Sequence, residues 1–136
     1  MSRLKVLVAE DHEEVRRMIV RLLAPKFEIV GAVANGRDLI KAAMTLSPDV
    51  IVSDIHMPLA TGPQAMWQLQ TMGWDIPFVL ISATTVEARI YMEEGATAFV
   101  DKMDVGHELI PAVHAASNRQ AYFSPKVSSP AYSCIQ

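Results

Sequence analysis

The chain has 136 residues, a length that fits one domain, and 51% of its residues are hydrophobic while 20% are charged. This composition is too apolar for a disordered protein. A formal net charge of −3 and scattered lysines and arginines argue against a nucleic-acid-binding surface. No apolar run approaches the ~20 residues that cross a bilayer, and the early acidic residues argue against a signal peptide. We therefore expect a cytoplasmic protein whose own chain binds neither membranes nor nucleic acid. The single cysteine, Cys134, excludes an intramolecular disulfide and a cysteine-based metal site.

Short apolar segments rich in β-branched residues alternate along the chain with longer segments of helical periodicity. The predicted strands are Leu4–Ala9, Phe27–Ala34, Val50–Asp54, Phe78–Ser82 and Ala98–Asp101. The predicted helices are Glu13–Ala24, Arg37–Leu46, Pro63–Met72, Val86–Glu93 and Val105–Ala116. Proline and glycine residues fall in the gaps between these elements. Five β-α units predict an α/β fold in which helices cover both faces of a doubly wound, five-stranded parallel sheet.

The composition changes near residue 117. The segment "SNRQAYFSPKVSSPAYSCIQ" is rich in serine and proline and has no helical or strand periodicity. We therefore predict a folded domain over residues 1–117 and a flexible linker or tail over residues 118–136.

The ends of four predicted strands carry side chains that are suited to chemistry. These side chains are Glu10 and Asp11 after the first strand, Asp54 at the end of the third, Ser82 at the end of the fourth and Asp101 and Lys102 after the fifth. The carboxyl ends of parallel strands share one edge of the sheet, so the side chains could converge. Carboxylates held together repel unless a cation lies between them, and hard oxygen ligands suit Mg²⁺. A metal, a lysine and a hydroxyl together suit phosphoryl transfer, with an aspartate as the nucleophile that forms an acyl phosphate.

Each of these residues also has a structural interpretation. Asp11 could cap the first helix in a capping box with Glu14, Ser82 could bond to backbone at its strand end, and Lys102 could be a solvated surface lysine. Asp54 could serve the turn that enters the third helix. For Asp11, Ser82 and Lys102 taken singly the structural interpretation is the more common one. The joint pattern of four strand ends favours a functional site.

Four segments together resemble the receiver domain of response regulators, the phosphoacceptor module of two-component signalling. They are "VAEDHEEVR", "DVIVSDIHMPLATG", "VLISATT" and "EEGATAFVDK", and the resemblance extends from residue 3 to about residue 117. It implies a flavodoxin-like (βα)5 fold and phosphorylation of Asp54. It also implies that Glu10 and Asp11, with Asp54 and the backbone carbonyl of His56, hold Mg²⁺.

The same resemblance implies roles for residues around the phosphorylation site. Ser82 corresponds to the switch hydroxyl and Lys102 to the lysine that contacts the phosphoryl group. Phe99 corresponds to the aromatic residue whose rotamer changes on activation, and since it lacks a hydroxyl it can switch only through packing. His56 and Thr84 are expected to tune the rate of dephosphorylation.

The chain departs from many receivers after the lysine, where Met103 replaces a proline. The segment "KMDVGHELIPAVHAASNRQAYFSPKV" instead resembles the branch in which a receiver precedes a LuxR-type helix-turn-helix domain. We therefore expect regulation of transcription through an output domain that is absent from this chain. Either the chain is a piece of a longer protein or it is a receiver without an output domain.

The resemblance also implies partners. We expect a histidine kinase as phosphoryl donor, and a homodimer or partner surface on the fourth and fifth helices that includes Met92, Glu93 and Ala98. The chain is expected to be a signalling domain with at most slow self-dephosphorylation rather than an enzyme.

Two other classes of protein share parts of this pattern. A phosphatase of the haloacid-dehalogenase type would need an acid where His56 stands, and its acidic pair would come late in the chain. A receiver-like interaction module without phosphorylation would lack one of Asp54, Asp11 and Lys102, and all three are present.

Overall fold

The computed structural model describes residues 3–84, 86 and 88–124, which form alternating strands and helices. The strands are β1 (Lys5–Ala9), β2 (Glu28–Val33), β3 (Val50–Asp54), β4 (Phe78–Ser82), β5 (Ala98–Asp101) and β6 (Tyr122–Phe123). The helices are α1 (Glu13–Leu23), α2 (Gly36–Leu46), α3 (Gly62–Thr71), α4 (Ala88–Glu93) and α5 (Val105–Ser117), and a 3₁₀ turn spans Lys102–Asp104. Each of the ten predicted elements is present, with ends within two residues of the predicted ones.

The strands form one parallel sheet in the order β2-β1-β3-β4-β5-β6. The predicted α/β fold class is confirmed. Strands β3 and β4 are buried at every residue, as expected for strands that helices cover on both faces. The strand order reverses between β1 and β3, and in doubly wound sheets this switch point marks the usual ligand site at the carboxyl edge.

Two apolar clusters lie on opposite faces of the sheet. Successive residues of β1 alternate between them, because strand side chains point to opposite faces in turn. One cluster joins the sheet to α2, α3 and α4 through buried side chains such as Leu39, Met66 and Phe99. The other joins it to α1 and α5 through Ile19 and Leu109. This packing fixes the helices and therefore the loops at the carboxyl edge.

Strand β6 lies inside the segment predicted to be a flexible linker or tail. It pairs in parallel with β5, with Tyr122 opposite Ala98 and Phe123 opposite Phe99. The sheet therefore has six strands where five were predicted. A two-residue strand is too short to show periodicity, and its pairing depends on backbone bonds that no side-chain pattern encodes. Residues 125–136 of the predicted tail lie outside the described part of the chain.

The partner surface predicted on α4 and α5 needs one correction. Ala98 is fully buried in β5, so it cannot belong to an exposed surface, because helices cover this inner strand on both faces. Glu93 is exposed and Met92 is half-buried. In the described ranges, no helix combines the length and apolar character that crossing a membrane requires.

Candidate functional site

The predicted strand-end residues meet at the carboxyl edge of the sheet. Carboxylate oxygens of Glu10, Asp11 and Asp54 lie within 4.8 Å of one another. The Nζ atom of Lys102 lies 3.2 Å from Oδ2 of Asp54 and 3.3 Å from Oε1 of Glu10. Three acids from β1 and β3 therefore share one pocket with the cation that follows β5.

Asp54 is held rigidly where β3 ends. It is only 6% exposed, and its Oδ1 accepts the backbone N–H of Ile55 at 2.8 Å. The hydroxyl of Ser53 donates to the Asp54 carbonyl oxygen at 2.8 Å. Gly62 packs against the same carbonyl, and a Cβ on this glycine would lie 2.3 Å from the oxygen. Only glycine allows this approach, so "ATG" shapes the loop that leaves Oδ2 of Asp54 directed at Lys102.

Glu10 is a buried acid whose hydrogen bonding is incomplete. Oε2 accepts the N–H of His12 at 3.1 Å, whereas Oε1 has no well-aligned hydrogen bond to any described residue although Lys102 is close. Burial raises the pKa of Glu10, and the charge of Asp54 raises it further, while the His12 N–H and Lys102 oppose the shift. A buried carboxylate oxygen whose negative charge is only partly balanced favours the binding of an added cation.

Asp11 does not serve as the cap of α1. The N-cap residue is His12, and its side chain makes no cap hydrogen bond within the described structure. The capping box that could have joined Asp11 to Glu14 therefore does not form. Asp11 is exposed at the mouth of the pocket, with a carboxylate oxygen near those of Glu10 and Asp54.

Lys102 is not a solvated surface lysine. Its side chain is 32% exposed. Burial alone would lower the pKa of Lys102, but the charges of Asp54 and Glu10 outweigh burial and raise it. The ammonium therefore stays charged between the two acids.

The 3₁₀ turn that carries Lys102 depends on a backbone N–H at Met103, the position that is proline in many receivers. Oδ1 of Asp101 accepts the N–H of Met103 at 2.8 Å and caps the 3₁₀ turn. A proline at position 103 would have no N–H to donate. Met103 therefore permits a cap that the more common residue would exclude.

The side chains of Ser82, His56 and Thr84 make no hydrogen bond or ion pair with the acids or the lysine of the pocket in the described part of the chain. Ser82 is buried at the end of β4 and pairs in register with Asp101. Its hydroxyl accepts the backbone N–H of Thr84 at 3.1 Å, which is the backbone bond that its structural interpretation predicted. The side chains of His56 and Thr84 are exposed. The structure thus brings Glu10, Asp11, Asp54 and Lys102 together.

Phe99 lies below the pocket in β5. Its side chain is fully buried in the cluster that also contains Ala88, Tyr91 and Met92 of α4. A change at the carboxyl end of β5 could therefore reach α4 through direct packing.

Two residues that shape the site, Ser53 and Ser124, were not singled out from the sequence. The Ser53 hydroxyl donates to the Asp54 carbonyl, and the Ser124 hydroxyl accepts the N–H of Asp101 at 2.9 Å. The place of Gly62 in the loop after Asp54 predicts a shaped turn into the third helix, and its close approach to the Asp54 carbonyl agrees with that prediction. Neither serine could have been found, because their partners are backbone groups.

Comparison with known protein families gives one match that spans most of the chain. The family described as the response regulator receiver domain matches residues 6–114. The predicted family is thereby confirmed.

Two curated relatives and one solved structure illustrate the likeness. A protein-glutamate methylesterase/protein-glutamine glutaminase of Halalkalibacterium halodurans is 37% identical over 107 residues, which cover 74% of this chain and 31% of that protein. The response regulator GacA of Pseudomonas aeruginosa is 32% identical over 130 residues, 92% of this chain and 60% of that protein. A LuxR-family two-component response regulator from Aurantimonas sp. SI85-9A1 superimposes with a TM-score of 0.84 at 22% identity, covering 99% of this chain and 100% of the other.

These likenesses differ in what they establish. The structural match shows the fold. This chain spans less than two thirds of each of the two curated relatives, so it corresponds to one part of them.

Proposed function

Since this chain belongs to the response-regulator receiver family of two-component signalling, we propose that Asp54 accepts a phosphoryl group from a histidine kinase. One observation carries the assignment. Asp54 is a buried strand-end carboxylate with the ammonium of Lys102 3.2 Å from its Oδ2 and two further carboxylates beside it. A nucleophilic carboxylate, a fixed cation and an acidic pair are the parts that phosphoryl transfer requires.

The transfer forms an acyl phosphate. An Oδ atom of Asp54 attacks the phosphorus, the new P–O bond forms, and the P–N bond to the kinase histidine breaks. The histidine nitrogen leaves with the electron pair and takes up a proton. With a small acyl phosphate as donor, a P–O bond breaks and a carboxylate leaves. The acyl phosphate carries about two negative charges where the free carboxylate carried one.

The donor set fits a hard divalent cation. Receiver domains bind Mg²⁺ at an acidic pocket, and here Glu10, Asp11, Asp54 and the backbone carbonyl of His56 would hold it. The fit depends on three clustered carboxylates and on Oε1 of buried Glu10, which has no aligned hydrogen bond among the described residues. When bound, Mg²⁺ would neutralise charge on the transferring phosphoryl group.

Switching follows from the new charge. Lys102 exchanges its contact with the Asp54 carboxylate for one with the phosphoryl oxygens. The Ser82 hydroxyl releases the Thr84 N–H and donates to the phosphoryl group. Phe99 then repacks against α4, which shifts a pre-existing equilibrium of that helix. His56 and Thr84, exposed beside Asp54 and Ser82, set the access of the hydrolytic water and so the lifetime of the phosphoryl group.

The output is an interaction surface. Receiver domains bind histidine kinases and often dimerise, and we assign the dimer surface here to α4 and α5, with Met92 and Glu93. The chain is a cytoplasmic signalling domain with at most slow self-dephosphorylation. The receiver unit ends after β6 rather than at residue 117, because β6 pairs with β5, and its output would be regulation of transcription through a separate domain.

The competing function is an interaction module without phosphorylation; membership of the receiver family removes the phosphatase alternative. Incubation with acetyl phosphate, in Mg²⁺ or in excess chelator, separates the two. A phosphoryl adduct that forms only with Mg²⁺ supports the receiver function. A chain that binds Mg²⁺ and stays unmodified would be an interaction module.

A further inference from the structure

The end of β6 is bonded to β5 at the residue before the functional lysine. Ser124 is fully buried. Its N–H donates to the carbonyl of Phe99 at 3.0 Å, and its hydroxyl accepts the N–H of Asp101 at 2.9 Å. One serine therefore contacts the backbone on both sides of Val100, immediately before Lys102.

We call residues 118–124, which include Ser124, the strap. Arg119 donates to Oδ1 of Asp75 at 3.0 Å and to its carbonyl at 2.7 Å. The hydroxyl of Tyr122 donates to the carboxylate of Glu108 on α5. Burial, together with this bond, raises the pKa of Tyr122 to about 12, so the phenol keeps its proton. The strap is thus held by side-chain bonds at two points before it reaches the site.

The Ser124 hydroxyl gives the backbone N–H of Asp101, at the end of β5, a hydrogen-bond acceptor. Strand β4 lies on one side of β5, and the strap covers the other. Asp101 is buried, so its N–H would lose a hydrogen bond if the strap hydroxyl were absent, and an unpaired buried N–H is unfavourable. The side chain of the same residue caps Met103. Two hydrogen bonds therefore hold the turn around Lys102. One runs from the Asp101 N–H to the Ser124 hydroxyl, and the other from the Met103 N–H to the Asp101 side chain.

We propose that Ser124 is a positioning residue for phosphoryl transfer, holding the Asp101–Met103 turn so that the Lys102 ammonium lies at Asp54. The inference rests on the proposed function of Asp54. Among the described residues, Ser124 makes no hydrogen bond to Glu10, Asp11 or Asp54, so its effect would be exerted through Lys102. Residues 118–124, which follow α5, would thus have a role in the reaction.

The test is a double-mutant cycle on the full chain. The rate of phosphorylation by acetyl phosphate in saturating Mg²⁺ is measured for wild type, Ser124→Ala, Lys102→Ala and the double variant. Loss of one positioning hydrogen bond should slow Ser124→Ala about fivefold. In the Lys102→Ala background the same change should cause no further slowing, because the residue it acts through is gone. Mg²⁺ affinity should not change in Ser124→Ala.

A matched control separates positioning from stability. Arg119→Gln removes the exposed bonds to Asp75 but leaves the Tyr122–Glu108 bond and the contact between Ser124 and Asp101. It should lower the free energy of unfolding slightly without slowing phosphorylation. If Ser124→Ala fails to fold, Ser124→Cys keeps nearly the same shape with a weaker acceptor and takes its place in the cycle.

Three results would overturn the inference. One is a Ser124 variant that phosphorylates at the wild-type rate. Another is equal slowing by the Ser124 variant with and without Lys102, which would mean a general structural role. Both leave the function of Asp54 intact, because wild type still forms the adduct. A wild-type chain that takes up no phosphoryl group would overturn both proposals.

Discussion

The ammonium of Lys102 lies 3.2 Å from Oδ2 of Asp54 across 48 residues of sequence. The same nitrogen lies 3.3 Å from Glu10, so a single cation serves two buried acids. Without a bound metal ion or phosphoryl group, the Lys102 ammonium balances part of the negative charge of Glu10 and Asp54. The contact explains why the pocket holds its acids together before any ligand binds. Under the proposed function, the Lys102 ammonium is the group that would contact the new phosphoryl group.

Removal of the Lys102 ammonium should cost stability and weaken the output. Lys102→Ala leaves Glu10 and Asp54 without their shared cation, so we expect a loss of roughly 1–3 kcal/mol in the free energy of unfolding without metal, held to the low end because the lysine is partly solvated. Mg²⁺ should restore most of it. Chemical denaturation with and without Mg²⁺ measures both effects.

Lys41→Ala, at an exposed position on α2, is the control for that change and should alter stability little. In Lys102→Ala, phosphoryl uptake should slow but remain measurable, whereas dimerisation or partner binding in response to it should largely be lost. Equal stability of the two variants without metal would refute the charge argument.

Neutralisation of Glu10 should alter the pH dependence of stability. The pKa of Glu10 is raised above its ordinary value of 4.5, so the folded state binds this proton more tightly than the unfolded chain. The associated stabilisation is present below that value and is lost as pH rises through the folded pKa. Glu10→Gln should therefore flatten the decline in metal-free stability as pH rises above about 4.5.

The same variant should lose Mg²⁺ binding. Mg²⁺ requires the ionised carboxylate, so in wild type its stabilising effect should grow with pH, and in Glu10→Gln it should nearly vanish. Thermal unfolding across the pH range, with and without Mg²⁺, provides the comparison. Parallel pH curves for the two proteins would show that Glu10 does not carry the shift.

Truncation of Phe99 should be severely destabilising. Its side chain is completely buried against α4, and Phe-to-Ala changes in cores cost about 3–5 kcal/mol. Phe123→Ala, on the adjacent β6 where the ring is 38% exposed, should cost about 1 kcal/mol or less. Denaturant unfolding of the two variants gives the difference, and similar losses would contradict the assigned packing of Phe99.

The sequence located the main elements and four residues of the pocket because two strong patterns agree. Fully apolar strands indicate a parallel sheet, and a parallel sheet places its carboxyl ends on one edge, so Glu10, Asp54 and Lys102 had to be neighbours. Backbone-mediated contacts left no such pattern. The bond of Ser124 to Asp101 and the pairing of β6 depend on main-chain groups that every residue carries. Ala98 was assigned to the surface because the sequence does not show which flanking helices cover β5.

The central claim is that Asp54 is the phosphoacceptor, and intact-protein mass after incubation with acetyl phosphate and Mg²⁺ tests it most directly. Wild type and Asp75→Asn, which alters an exposed aspartate before β4, should each gain one phosphoryl group, and chelator should abolish the gain. Asp54→Asn should gain none. A phosphoryl adduct retained in Asp54→Asn, or absent from wild type that binds Mg²⁺, would contradict the account.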